Sequence, residues 1–363
     1  MASVYEPRAI TALLAMVRRY QVAIAISGPV LENCRTLRIG RLVTIRKLAA
    51  STTLHALAVM SALILPAASN RASCAEQAIS GGTGRPVIQI EEVNRFYAVY
   101  DAADGHPSAE QLQRDYLDPG SDGLHTFAKI RGITGASITA TLAKTPTIYS
   151  DAKQCAAILP QVRERLNVAM RKLAELYPNA RFLPVTIAVG RGRPVAAGGP
   201  TDGVMVGLEA LCGVKYFDAN LEDRFVHVIA HEYIHVQQSK SLADDEHPTV
   251  LEVSLLEGAA EFMGEMISGG VGNPGVWAEA KGHETEIETA FVPDEDKTDL
   301  SKWVYNGTLD KPGDLGYWVG YRIVKSYYQR AADKHRAIRD IFEMTDPKAF
   351  LAKSGWRPGI ELR

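Results

Sequence analysis

The stretch "VIAHEYIHVQQ", residues 228–238, constrains this chain more than any other. On a helix, His231 and His235 stand four positions apart, so both imidazoles leave the same face about one turn apart, close enough to grip one ion. Glu232 is rotated by about 100° from His231. It can lie beside an open coordination position, where a water needs a base. The plain alternative is an amphipathic helix with a coincidental His-Glu-His, and the rest of the chain decides between them.

The surrounding segment "NLEDRFVHVIAHEYIHVQQSK" (220–240) is predicted to be helical. Asn220 can cap it and Asp223 complements the dipole of its first turn. Phe225, Val228, Ile229 and Val236 supply an apolar face. His227 lies one turn before His231, but it is eight positions from His235, or about 12 Å along the axis. That is too far for all three histidines to share one ion, so His227 is expected to be a packing or supporting residue.

A third ligand is needed for a catalytic zinc site. A histidine six positions beyond His235 is absent, because 241 is Ser, and Gln238 stands where the corresponding motif has Gly. The next segment, "TVLEVSLLEGAAEFMGEMISGG" (249–270), opens with a capping box at Thr249 and Glu252 and closes at Gly269–Gly270. Glu257 and Glu261 are four apart on this helix and share a face. One carboxylate can ligate while the other holds an imidazole N–H.

"LLEGAAEF" resembles the Asn-Glu-Gly segment of gluzincin aminopeptidases and the Glu-x-x-x-Asp of thermolysin-like enzymes. By that likeness Glu257 is the zinc ligand and Glu261 supports His231. Leu256 replaces the Asn, so the residues that read a free amino terminus are not implied. "DYLDPGSDGL", "GLEAL", the two helices above, "LGYWVGYRIVKSYYQR" (315–330) and "DPKAFLAKSGW" (346–356) together resemble the predicted zinc-dependent proteases related to the gliding-motility lipoproteins of the GldB type. The resemblance implies an α+β, mostly helical, zincin-like (gluzincin) fold with a mixed sheet ahead of the active-site helix. It implies one Zn²⁺ on His231, His235 and Glu257, with Glu232 as general base. Gluzincins also place a Tyr or His from a later helix on the oxyanion, a role open here to Tyr317 or Tyr321.

Ahead of the His helix, "DAKQCAAILPQVRERLNVAMRKLAELYPNA" (151–180) is predicted to be helical apart from Pro160. "RFLPVTIAVG" (181–190) reads as a strand, and "VMVGLEAL" (204–211) as a second. The Gly/Pro-rich stretch between them lacks the Gly-Lys-Ser/Thr ending of a phosphate loop, so it is read as a hairpin or an edge strand beside a cleft. No Gly-x-Ser-x-Gly elbow supports a serine hydrolase. "VMVGLEAL" is the expected edge for pairing with an extended peptide.

Charge removes another class. Residues 1–75 carry nine Lys/Arg and two acidic residues, so the remainder holds 31 basic against 40 acidic side chains and is near −9. No basic footprint for nucleic acid is present. Within 1–75, an N-terminal extension precedes a signal-peptide pattern: Arg41, Arg46 and Lys47, then an apolar run from Leu54 to Leu65, then Ser73 and Ala75 ahead of a cleavage point at Glu76. The run is shorter than the roughly 20 residues of a membrane span. Export to a periplasmic or secreted location is expected; left uncleaved, the segment would tether the chain to a membrane. Residues 76–92 read as a flexible leader and 93–363 as one metallopeptidase domain. Cys155 and Cys212 remain after cleavage, either paired or buried as thiols. Taken together, the expectation is an exported zinc endopeptidase acting on peptides or proteins. Its rival is a non-catalytic envelope or assembly protein in which zinc only staples two helices.

Overall fold

The computed structural model describes residues 86–193, 195–307 and 312–363. The signal-peptide segment and residues 76–85 of the leader lie outside them. Val185–Ala188 has all four side chains buried, as expected of a strand covered on both faces. It is the second of four strands: β1 (Ile88–Gln89), β2 (Val185–Ala188), β3 (Ala196–Gly199) and β4 (Gly203–Gly207). They lie in the order β1-β2-β4-β3, with β3 antiparallel to β4 and the other pairs parallel. Ile88–Gln89, assigned to the leader from sequence, pairs with Val185–Thr186 and belongs to the sheet. The remaining described elements are helical, so the fold is α+β with a small mixed sheet.

Two sequence expectations change. The predicted strand 204–211 is a strand only to Gly207. Leu208–Gly213 is a helix, because a continuous apolar run carries no period that separates strand from helix, and Leu, Glu and Ala favour the latter. In addition, β4 is an inner strand; the edge is β3, formed by the Gly-rich stretch itself. The hairpin reading of that stretch holds, and the placement of the edge on "VMVGLEAL" does not.

Eight helices position the site: α1 (Glu91–Ala102), α2 (Asp122–Arg131), α3 (Ile148–Ala157), α4 (Leu159–Leu176), α5 (Leu208–Gly213), α6 (Leu221–Gln237), α7 (Val250–Ser268) and α8 (Leu315–Arg330). The single helix expected over 151–180 is broken at Ile158, and Pro160 sits in the first turn of α4, where its missing N–H costs nothing. The caps read from sequence form as expected. Asn220 accepts from Asp223 N at 3.1 Å, Thr249 and Glu252 complete their box, and Gly269 ends α7 with φ 97°. α7 lies between α6 and α8. A Cβ on Gly258 would fall 2.1 Å from the Gly320 carbonyl carbon, and one on Gly320 would fall 1.6 Å from Ser254 O. These two glycines let the backbones of α7 and α8 touch.

Cys155 on α3 and Cys212 on α5 form a disulfide, resolving the pairing that sequence leaves open. The bridge closes a 57-residue separation. Loop-closure entropy then gives about 4 kcal/mol of stability. Reduction by dithiothreitol should therefore lower the denaturant midpoint of unfolding markedly, and an unchanged midpoint would contradict the bridge. Among the described residues no helix is long and apolar enough to cross a membrane.

Candidate metal centre

His231 and His235 project from the same face of α6, and Glu257 reaches them from α7. His231 Nε2, His235 Nε2 and Glu257 Oε2 form a nearly equilateral triangle. The two nitrogens are 3.3 Å apart, and the carboxylate oxygen lies 3.2 Å from His231 and 3.3 Å from His235. Ligands about 2.0–2.1 Å from a tetrahedral zinc ion lie about 3.3–3.4 Å from one another, so the residues present fit such an ion.

The outer atoms of both rings explain why these nitrogens face inward. Gln238 Nε2 donates to Leu256 O at 2.6 Å, which leaves its Oε1 facing His235 Nδ1 at 2.7 Å. An oxygen there calls for a proton on Nδ1, so Nε2 is the atom turned to the centre. On the other ring, His231 Nδ1 lies 3.3 Å from Glu261 Oε1, a charge contact rather than a well-aligned hydrogen bond. Gly272 N donates to the other Glu261 oxygen at 2.7 Å. His227 is not part of this group. Its ring packs against Gly270, where a Cβ would fall 2.2 Å from Cε1.

Electrostatics point the same way. Burial opposes charge on both rings, yet Glu261 and Glu257 outweigh it at His231, and Glu257 outweighs it at His235, so both imidazole pKa values stand above the ordinary one. Burial likewise opposes ionisation of Glu257, but His235 and His231 hold its carboxyl well below the usual range. The three groups together demand positive charge at their centre, supplied by protons or by a cation.

Glu232 faces the sheet edge. Its Oε2 accepts from Gly198 N at 2.6 Å, and a Cβ on Gly198 would fall 1.9 Å from Glu232 O. The glycine at 198 thus has a local cause: no side chain fits there between β3 and α6. Gly198 turns its N–H away from β4 toward the helix.

Of the two tyrosines singled out from sequence, Tyr317 stacks on His231, with ring centroids 6.1 Å apart and planes 6° apart. Tyr321 donates its hydroxyl to Glu265 at 2.5 Å and packs edge-on against Trp277 and Phe262. A third tyrosine escaped the sequence reading. Tyr305 donates to Glu257 Oε1 at 3.4 Å from a left-handed backbone, φ 57°. For a bulky residue this conformation costs about 1–2 kcal/mol. Reciprocal bonds beside it hold the turn, Asn306 N to Asp314 Oδ1 at 3.1 Å and Asp314 N to Asn306 Oδ1 at 2.7 Å. Gln238 and Tyr305 carry no periodic signal, so nothing in the sequence marks them.

A small mixed sheet, a His-Glu-x-x-His helix and a second helix bringing a carboxylate to the same point define a class: a protein built around a candidate three-ligand metal centre. Residues 202–349 match the model of the family described as predicted Zn-dependent protease (DUF2268), a stretch that spans both metal helices and α8. The likeness read from the sequence thus stands over that stretch, and the three residues that could hold a metal ion lie within it. No curated protein and no solved structure matches the chain.

Proposed function

We propose that this protein is an exported zinc-dependent endopeptidase of gluzincin type with a zincin-like fold. The observation that carries the reading is the equal-sided triangle of His231, His235 and Glu257 with the Glu232 carboxylate beside it on an open sheet edge. When bound there, zinc would supply Lewis acidity, making water acidic near neutral pH and polarising a carbonyl. Glu232 takes the proton of the attacking water and delivers it to the leaving amine. Tyr317, against His231, is the better placed of the two tyrosines to donate toward the developing oxyanion, and Tyr305 orients Glu257. An extended peptide pairs with β3, whose outer side has no strand partner among the described residues, and so enters beside Glu232. The Cys155–Cys212 bridge supports an oxidising compartment, in keeping with export.

The test is incubation of the zinc-loaded protein with a mixture of unstructured blocked peptides, followed by mass spectrometry of the products. Internal cleavage that a chelator stops and zinc restores is the expected result. Stoichiometric zinc with every peptide intact would reject the peptidase reading and favour the non-catalytic zinc-stapled protein.

A further inference from the structure

α8 begins without the side-chain cap that its sequence offers. Asp314, the residue ahead of Leu315, is of a type that normally turns its carboxylate back onto the N–H groups of the first helical turn. Here it makes no such bond. Gly316 N donates instead to Trp303 O at 2.8 Å, and Tyr317 N to the Asp314 carbonyl at 2.9 Å. The buried carboxylate reaches across to the turn that carries Tyr305, where its Oδ1 accepts from Asn306 N at 3.1 Å. Burial raises its pKa to about 7, and the N–H groups of Asn306 and Tyr305 work against that rise.

The turn grips back. Asn306 Oδ1 accepts from Asp314 N at 2.7 Å, while its Nδ2 donates to Ser301 O at 3.0 Å, so the amide is fixed in one orientation. The backbone is bent to allow this. An ordinary Asp cap has an extended backbone, whereas Asp314 has φ 55° and follows Gly313 at φ 59°. A Cβ on Gly313 would fall 2.5 Å from Asn306 Oδ1. A helix start needs none of these features; a clasp between Asp314 and Asn306 needs them all.

The side chains rooted on the two halves of the clasp both lead to the metal centre. Tyr305, next to Asn306, sends its hydroxyl to Glu257 Oε1 at 3.4 Å, on the carboxylate whose other oxygen faces the two histidines. Tyr317, whose N–H rests on the Asp314 carbonyl, stacks on His231. We propose that Asp314 is a positioning residue of the metal centre, holding Tyr305 to the ligand Glu257 and Tyr317 to the ligand His231 from one buried clasp. The inference rests on the metal-centre reading, and its Tyr317 half also on the peptidase reading.

Two variants of the full chain test it. Asp314→Gly removes the carboxylate and suits a left-handed backbone. Asp314→Asn keeps an oxygen for Asn306 N and tolerates the same backbone. Each is made in wild type, in Tyr305→Phe and in Tyr317→Phe. Zinc affinity is read by competition with chelators, and Co²⁺ in place of zinc gives a visible spectrum that follows ligand geometry; neither needs turnover. Groups that hold a ligand in line are typically worth about 10- to 100-fold in metal affinity. Asp314 acts one step further out, so Asp314→Gly should weaken zinc binding by about 10-fold and shift the cobalt bands. Asp314→Asn should restore most of both. In Tyr305→Phe, where the hydroxyl is already gone, Asp314→Gly should cost little more affinity. On a cleaved peptide, Asp314→Gly should lower kcat with KM nearly unchanged, and that loss should shrink in Tyr317→Phe. If every peptide stays intact, the peptidase reading fails, while the affinity and cobalt results still support the assignment through Tyr305. Equal fold losses in all three backgrounds would mean that Asp314 acts through stability alone and would overturn the assignment. Unchanged zinc affinity and an unchanged cobalt spectrum in Asp314→Gly would overturn it too. Wild type that takes up no metal would overturn the metal-centre reading and this inference with it.

Discussion

Glu257→Ala is expected to empty the metal centre. Exchange of a supporting group such as Gln238 or Glu261 for Ala should weaken zinc binding by about 10- to 100-fold, since these side chains only hold the imidazoles in line. Glu257 supplies one of three atoms at the centre and the only negative charge among them. Its loss leaves two neutral nitrogens on one helix with no third donor. Competition against a graded series of chelators should therefore place Glu257→Ala well beyond the supporting variants. Affinity equal to that of Gln238→Ala would mean that Glu257 is not a ligand. Melting of the metal-free proteins should be compared alongside, because Glu257 is buried among the histidines and its removal also changes the packing of α6 on α7.

Glu232→Gln should separate chemistry from binding. The amide oxygen of Gln can still accept from Gly198 N, so β3 stays against α6, and the three ligand atoms are untouched. The base is gone, however. Loss of a general acid–base group typically lowers rate by about 10²- to 10⁴-fold. The expected result is full zinc content, an unchanged melting temperature and a fall in kcat of that order with little change in KM. Activity within a few-fold of wild type would remove Glu232 from the proton path.

How far the sequence could lead is visible in particular residues. The helix caps at Asn220 and Thr249 were legible because capping is settled within four residues of chain. The Glu257–Glu261 pair was legible because helical period alone places both on one face. Gln238 was not: its part in turning His235 depends on Leu256 O, which belongs to the next helix. Tyr305 reaches Glu257 only through a left-handed turn that no β-branched or periodic pattern announces. The sheet edge was misplaced for a similar reason. Val204–Val206 has the apolar character of a strand, but pairing on both sides buries it, while the Gly-rich β3 forms the edge because Gly198 must fit against Glu232. Local chemistry fixes elements; which element lies outermost is a property of the assembled sheet.

His231, His235 and Glu257 are expected to hold one zinc ion. Crystals of the protein grown with stoichiometric zinc and measured on both sides of the zinc absorption edge test it most directly. A single anomalous peak is expected about 2 Å from His231 Nε2, His235 Nε2 and one Glu257 oxygen, with Glu261 and His227 outside coordination distance. A peak elsewhere, or none between these three residues in zinc-bound protein, would contradict it.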